Sequence, residues 1–274
     1  VDDSGALLMT AFALSEWFHS VQGEGQLAGM PSTFIRLAHC NLSCSWCDAA
    51  YTWRGDVKYD NVELDDLLDR VHHDHVVLTG GEPTFSEGFD ELVAALHGDG
   101  RHVTVETNGT IFRPDALEHV ALWSLSPKLG SSMQAGSLRL DVVENYLKGG
   151  RASQLKYVVD SEDDLQAVIG HLHEMQARKA LDGVPVYVQP NGLCHIAAVT
   201  VNAEQPGSGV VLTDTKHADT LRMYDGDGVA LETPYLDRVR WLYERIVELD
   251  ADLPVPVRAT VQAHKLAWGN RRGF

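Results

Sequence analysis

The stretch HVVLTGGEPTFSEGFDELVAALHG, residues 75–98, carries the reading of the fold. HVVLTGG is a short apolar run closed by glycines, the pattern of a fully buried strand. EGFDELVAALHG after it has helical periodicity. A polar word, TGGEPT, stands between them at the strand's end. The same order recurs. PSTFIRLA (31–38) reads as a strand leading into a group of cysteines, RHVTVETNG as a strand ending in a turn, and ALWSLSPK as another strand. SQLKYVVD precedes a strongly helical SEDDLQAVIGHLHEMQARKAL, where Ser161 and Asp164 form a variant capping box. VPVYVQPNG and VPVRATVQA are further strands, and TPYLDRVRWLYERIVELDAD is the last long helix. NVELDDLLDRVHH reads as helical through Val62, Leu64, Leu67, Leu68 and Val71.

Repeated strand–helix units imply parallel strands joined by right-handed crossovers. Six or seven strands are too few for a closed eight-stranded barrel. The expected fold is therefore α/β, a partial (β/α) barrel in preference to a doubly wound sheet. Function then gathers at the carboxyl ends of the strands, where TGGEPT, ETNG, SPK and QPNG meet at one mouth. Residues 191–232 break the rhythm and read as an irregular insertion or lid before the last long helix, with short strands in AAVTVNA and GVVLTD. Residues 1–10 read as a loose tail and 11–274 as one domain.

The chain has 274 residues, 44% hydrophobic and 22% charged, which suffices for a globular core. No apolar run is long enough to span a bilayer, and the start lacks the basic region of a signal peptide. A cytoplasmic protein with no membrane partner is expected. The formal net charge of −17 opposes direct nucleic-acid binding, which depends on neutralising phosphates. It also suits plain solubility or a salt-tolerant cytoplasm. Basic residues concentrate near the carboxyl end as Lys265, Arg271 and Arg272.

Three of the four cysteines lie in RLAHCNLSCSWCDAAYTW (36–53), as Cys40, Cys44 and Cys47 in a C-x3-C-x2-C spacing. This is no disulfide framework but metal chemistry in a reducing compartment. A structural zinc would take His39, Cys194 or His195 as fourth ligand, yet the spaced second ligand pair of such sites is missing. Three thiolates also suit a [4Fe–4S] cluster with one iron left open. That iron can bind the amino and carboxylate groups of S-adenosylmethionine.

The cysteine spacing, with Trp46 before the last cysteine, resembles the signature of radical S-adenosylmethionine enzymes. Gly80 to Pro83, GGEP, looks like that superfamily's methionine-binding motif. FHSVQGEGQLAGMPSTFIRLAHCNLSCSWCDAAYTW (18–53) is similar to the opening of the 7-carboxy-7-deazaguanine synthases. TGGEP, ETNG, SPK, LKYVV, Gln262-Ala-His264 and WGNRRG match that family as well, so the resemblance runs from about residue 15 to the end, broken mainly by 191–232.

The resemblance implies ring contraction of 6-carboxy-5,6,7,8-tetrahydropterin to 7-carboxy-7-deazaguanine with loss of ammonia, started by a radical from the cofactor. It implies an electron donor such as flavodoxin or ferredoxin, and a homodimer. Val21, Gln22, Gly23 and Glu24 would line the pterin, Arg36 would hold its carboxylate through two parallel hydrogen bonds, and Thr79, His264 and the terminal Phe274 would complete the pocket. Trp46, Asp48, Gly80, Gly81, Glu82, Glu106, Ser126, Pro127, Lys128, Gln189, Pro190, Asn191 and Gly192 would lie on the cofactor side, the two glycines admitting its methionine end. Plainer roles stand beside these: a glycine turn for VQGEG, an ion pair for Arg36, a solvated lysine for Lys128, a structural histidine for His264. The other activities considered are a glycyl-radical activating enzyme and a zinc-binding interaction module. One departure matters. The family places Thr or Ser after C-x2-C-D as a Mg2+ ligand, and here that residue is Ala49, leaving water or Thr52 to supply the oxygen.

Overall fold

The computed structural model describes residues 10–192, 199–200, 211–212 and 234–268. The chain opens with β1 (Ala11–Val21), which turns back antiparallel onto β2 (Pro31–Leu37) and also pairs antiparallel with β3 (Asp60–Glu63). After the short α1 (Leu64–Leu68) the alternation begins: β4 (His75–Gly80), α2 (Phe89–Gly98), β5 (His102–Thr107), β6 (Leu122–Leu125), α3 (Leu140–Gly149), β7 (Ser153–Val159), α4 (Glu162–Ala177) and β8 (Val186–Pro190). Val199–Thr200 (β9) and Val211–Leu212 (β10) pair antiparallel, within the two runs expected as short strands. Then come α5 (Pro234–Leu249), β11 (Val257–Ala259) and α6 (Ala263–Trp268).

The main sheet has nine strands in the order β11-β8-β7-β6-β5-β4-β2-β1-β3. From β2 to β11 every pairing is parallel, so seven strands form the expected partial barrel. β1 and β3 extend it at one edge as an antiparallel pair, and the sheet stays open. Apart from the edge strand β11, the parallel strands are buried on both faces along most of their length. On β7, Leu155, Tyr157 and Val159 join the hydrophobic core, while Gln154 and Lys156, also buried, lie on the alternate face. The core includes Phe89, Leu92 and Leu96 of α2, Tyr146 of α3, and Leu165, Val168 and Leu172 of α4. Trp123 of β6 packs on Tyr146 with ring centroids 4.3 Å apart.

Three local expectations change. Residues 60–63 are strand where helical periodicity was expected, because Val62 pairs with Phe12 and buries beside it, and the helix covers only Leu64–Leu68. A helix over Leu140–Gly149 was not foreseen, and α6 follows the last strand. Ser161 caps α4 by accepting the Asp164 N–H at 3.2 Å. The Asp164 carboxylate, however, takes the N–H groups of Asp160 and Ser131, at 2.9 and 3.1 Å, and ties the helix start to the loop after β6.

Candidate active site

The carboxyl ends of the parallel strands and the β1–β2 turn enclose a cavity of about 400 Å³. β2 delivers the cysteine loop to one wall. His39 adopts a left-handed φ of 71° and its N–H is taken by the Thr52 carbonyl at 2.7 Å, so the loop closes back on its own base. Ser45 N–H reaches the Ser132 carbonyl at 3.0 Å and Trp46 Nε1–H the Ser131 hydroxyl at 3.2 Å, fixing the loop against the segment after β6. The thiols of Cys40, Cys44 and Cys47 are free and all three line the cavity. Cys47 Sγ accepts the Trp53 Nε1–H at 3.3 Å. Burial pushes all three thiols up, Cys40 to about 12, so a bound metal is what would strip their protons.

The end of β4 lies directly on this loop. A side chain at Gly80, whose φ is 143°, would sit 2.1 Å from the Leu37 carbonyl oxygen, and one at Gly81 would sit 1.8 Å from that of His39. The glycines are therefore required by the protein's own backbone as well as by any ligand approaching it. Gly81 N–H bonds to Leu37 O at 3.0 Å and Glu82 N–H to His39 O at 2.8 Å. The buried Glu82 carboxylate accepts the Thr84 N–H, the Thr84 and Thr107 hydroxyls and the Asn108 N–H, between 2.6 and 3.0 Å. Glu82, expected on the cofactor side, lines the cavity, and these bonds also clamp the ends of β4 and β5 together.

A polar network lines the same cavity. Lys156 of β7 pairs with Glu24 and lies 3.7 Å from Glu106 of β5. Gln262 Nε2 donates to Glu24 Oε1 at 2.6 Å, Gln22 Nε2 to Glu106 Oε1 at 3.2 Å, and Thr79 Oγ1 to Glu106 Oε2 at 2.9 Å. Burial opposes ionisation of Glu24, but Lys156 and His264 outweigh it and hold the carboxyl far below its ordinary value. Burial likewise opposes the Lys156 charge, and Glu106 and Glu24 override it. Burial keeps His264 below the usual histidine value despite Glu24 beside it. Glu106, expected on the cofactor side, thus stands among the residues read as substrate-lining. Gly23 is required because a Cβ there would meet His264 Nδ1 at 2.4 Å.

Arg36 Nε donates to Glu16 Oε1 at 2.7 Å and Tyr51 OH to the same oxygen at 2.5 Å. Lys128 Nζ donates to Ser126 Oγ at 3.1 Å and lies 6.0 Å from the Trp46 ring centroid. Asp48 faces Lys265 Nζ at 3.4 Å. Gln189, at the end of β8, buries an Oε1 that has no partner. Val21, Asn191 and Gly192 also line the cavity. Of the described residues expected at the site, only Pro127 and Pro190 do not line it. Phe274, Cys194 and His195 lie outside the described residues. Thr52 is buried with its hydroxyl donated to the Ala49 carbonyl at 2.8 Å, and is not a cavity residue. Sequence reasoning assigned no role to Lys156, Glu16 or Tyr51. For Lys156 the signal was available, a lone charge inside the apolar run LKYVV.

A family model described as the Radical SAM superfamily matches residues 35–126, from β2 through the cysteine loop to the end of β6. The 7-carboxy-7-deazaguanine synthase of Rhodopirellula baltica is 36% identical over 201 residues, covering 67% of this chain and 75% of that protein. The synthase of Halobacterium salinarum is 36% identical over 208 residues, covering 68% and 79%. The chain belongs to the 7-carboxy-7-deazaguanine synthase family. The Bacillus subtilis synthase is 28% identical over 267 residues, covering 93% of this chain and 94% of its own. The crystal structure of QueE from Escherichia coli shares the fold, with a TM-score of 0.58 and 22% identity over 93% of this chain and 95% of that one. A radical S-adenosylmethionine synthase implies a [4Fe–4S] cluster and that cofactor.

Proposed function

We propose that this chain converts 6-carboxy-5,6,7,8-tetrahydropterin to 7-carboxy-7-deazaguanine with release of ammonia. The observation that carries the reading is one cavity lined both by three free thiols and by the Glu24–Lys156–Glu106 network. The donor set fits the implied groups. Three thiols, with no fourth among the described residues, suit a cluster with an open iron, and the orphaned Gln189 Oε1 suits a ligand donor such as the adenine amino group. When bound, the cluster and S-adenosylmethionine supply the radical chemistry of the ring contraction.

The chain's own residues hold and orient the substrate. Glu24 and Glu106 accept N–H groups of the pterin edge, and Thr79 keeps Glu106 aimed. Glu16 occupies Arg36 Nε, leaving the Nη groups for the substrate carboxylate. His264 and Gln262 close the wall beside Glu24. Among the described residues around Ala49 no side chain takes the place of the usual Thr or Ser ligand to Mg2+. Ala49 offers no side-chain oxygen, the Thr52 hydroxyl is spent on the turn, and Asp48 is neutralised by Lys265. Any Mg2+ is held by substrate and water. The reductant is a flavodoxin- or ferredoxin-type protein, the assembly a homodimer with no direct nucleic-acid contact, and the thiols argue for the reducing cytoplasm. Among the described residues no helix is long and apolar enough to cross a membrane.

The test is anaerobic turnover with the carboxy-tetrahydropterin after cluster reconstitution, with product identified by mass spectrometry and iron and sulfide counted. Cofactor cleavage without the deazaguanine product refutes the substrate, and zinc in place of iron refutes the chemistry.

A further inference from the structure

Lys156 is the one cation on the cavity-facing side of β7, with 6% of its side chain exposed. Leaving a lysine so buried is costly unless opposite charge meets it. Here two carboxylates do, from separate parts of the chain: Glu24 from the β1–β2 turn and Glu106 from β5. Each has a second, neutral anchor, Gln262 for Glu24 and the Gln22–Thr79 pair for Glu106, and Gln22 Oε1 also accepts the Glu24 N–H at 3.1 Å. Two positions earlier on the same face, Gln154 Oε1 accepts the Gln26 N–H at 2.9 Å and Nε2 donates to Ser124 at 2.8 Å, so β7 holds the Glu24 turn by two rungs. None of these neutral contacts can offset the mutual repulsion of the two carboxylates; the ammonium is the cation paired with both.

We propose that Lys156 is a positioning residue that keeps Glu24 and Glu106 ionised together, so that the wall offers paired acceptors to a ligand edge rich in N–H donors, a 2-aminopyrimidinone. The inference rests on reading the cavity as a pterin site. Without the ammonium, two part-buried carboxylates left around one vacated partner share a proton and titrate as a pair. That turns an acceptor into a donor aimed at the ligand's own N–H groups. The charged or titratable groups facing the pair are His264 and Asp48 toward Glu24, and Arg36, His75 and His264 toward Glu106. They are common to all variants below.

The experiment compares reconstituted wild type, Lys156→Met, Lys156→Arg and the double variant Lys156→Met/Glu106→Gln, which keeps the wild-type charge sum of the trio. In Lys156→Met, KM for the carboxy-tetrahydropterin rises about tenfold at neutral pH and falls again as pH is raised, since only the doubly ionised fraction binds well. Lys156→Arg restores a flat profile. In the double variant KM stays high and the pH dependence vanishes. Infrared difference spectra against wild type, with no substrate present, show a titrating protonated-carboxyl band in Lys156→Met alone. A band that persists in the double variant, or no band in folded Lys156→Met, overturns the proposal. So does a KM raised equally at every pH with Lys156→Arg no better. Because the spectra need no turnover, failure of the pterin reading leaves them standing and is seen separately as absent product in wild type.

Discussion

Replacing Gly81 by alanine tests how the cysteine loop is held. The added Cβ would stand 1.8 Å from the His39 carbonyl oxygen, 2.4 Å from its carbon and 3.0 Å from the Cys40 nitrogen. Ordinary contact needs the oxygen roughly 1.5 Å farther away, and both partners are backbone, so no side chain can swing aside. Overpacking of this kind costs about 1–3 kcal/mol. The Gly81–Leu37 and Glu82–His39 hydrogen bonds, at 3.0 and 2.8 Å, stretch or break, at about 1 kcal/mol each. A local cost of roughly 3–5 kcal/mol falls on the segment that sets Cys40. The expected result is a folded protein that takes up far less iron and sulfide on anaerobic reconstitution and cleaves little cofactor. Gly170→Ala is the control: it lies on the exposed face of α4 with nothing within 4 Å of the added carbon, and should stabilise by about 0.5–1 kcal/mol. A Gly81→Ala protein with wild-type cluster content and cleavage would refute the steric argument.

Alanine at Cys40, Cys44 or Cys47 should abolish the iron–sulfur absorbance and cofactor cleavage, while Cys194→Ala leaves both intact; the reverse pattern in absorbance spectra removes the triad assignment. Arg36→Ala should weaken substrate binding by about 1.5–3 kcal/mol with uncoupled cofactor cleavage preserved, and equal loss of both in the two assays would make Arg36 structural. Ala49→Thr should tighten the dependence of turnover on Mg2+ by adding one oxygen beside Cys47; tight saturation already present in the native chain, unchanged by the substitution, would show that another ligand is in place. Burial and the neighbouring His102 push His75 down to about 4 from its ordinary 6.5. The unfolded chain therefore binds this proton first, and stability falls as pH drops from 6.5 toward 4, by about 2–3 kcal/mol at the lower end. His75→Gln, which can still bridge Ser32 and Thr104, should flatten that window in urea unfolding; an unchanged slope refutes it.

What the sequence made legible were features written locally. The glycine pair after an apolar run marked the end of β4, the spacing of Cys40, Cys44 and Cys47 marked a shared ligand, and strand–helix alternation marked the parallel sheet. What escaped depended on partners distant in the chain. Residues 60–63 have helical spacing, yet pair with Ala11–Leu14 because that edge of β1 is otherwise open. Glu82 sits in a cofactor motif, but its four hydrogen-bond partners at Thr84, Thr107 and Asn108 become visible only when β4 and β5 lie side by side. The neighbours of Glu106, Lys156, Gln22 and Thr79, escaped for a related reason. Strand alternation says that Glu106 faces the mouth, not which neighbour reaches it first. Lys156 is the intermediate case, since a charge inside LKYVV announces a buried pair without naming Glu24, 132 positions away.

The electrostatics of the site run against those of the molecule. A formal charge of −17 disfavours the approach of an anionic pterin carboxylate, and of an acidic electron donor. Yet four of the 22 basic residues line this one cavity, each set against a specific partner: Arg36 on Glu16, Lys128 on Ser126, Lys156 on Glu24 and Glu106, Lys265 on Asp48. Only Lys128 leans on a hydroxyl and not a carboxylate, and it faces the thiol wall beside Trp46. Its charge is therefore the one least neutralised locally and best placed to meet an anionic group of the cofactor. The other three cations are matched by acids, which makes the substrate wall a set of directed hydrogen-bonding groups in place of a region of net positive potential. Salt screens surface charge beyond about 10 Å at ordinary ionic strength but reaches such buried pairs far less. Substrate affinity should then vary little with salt, whereas docking of an acidic reductant on the outer surface should vary strongly.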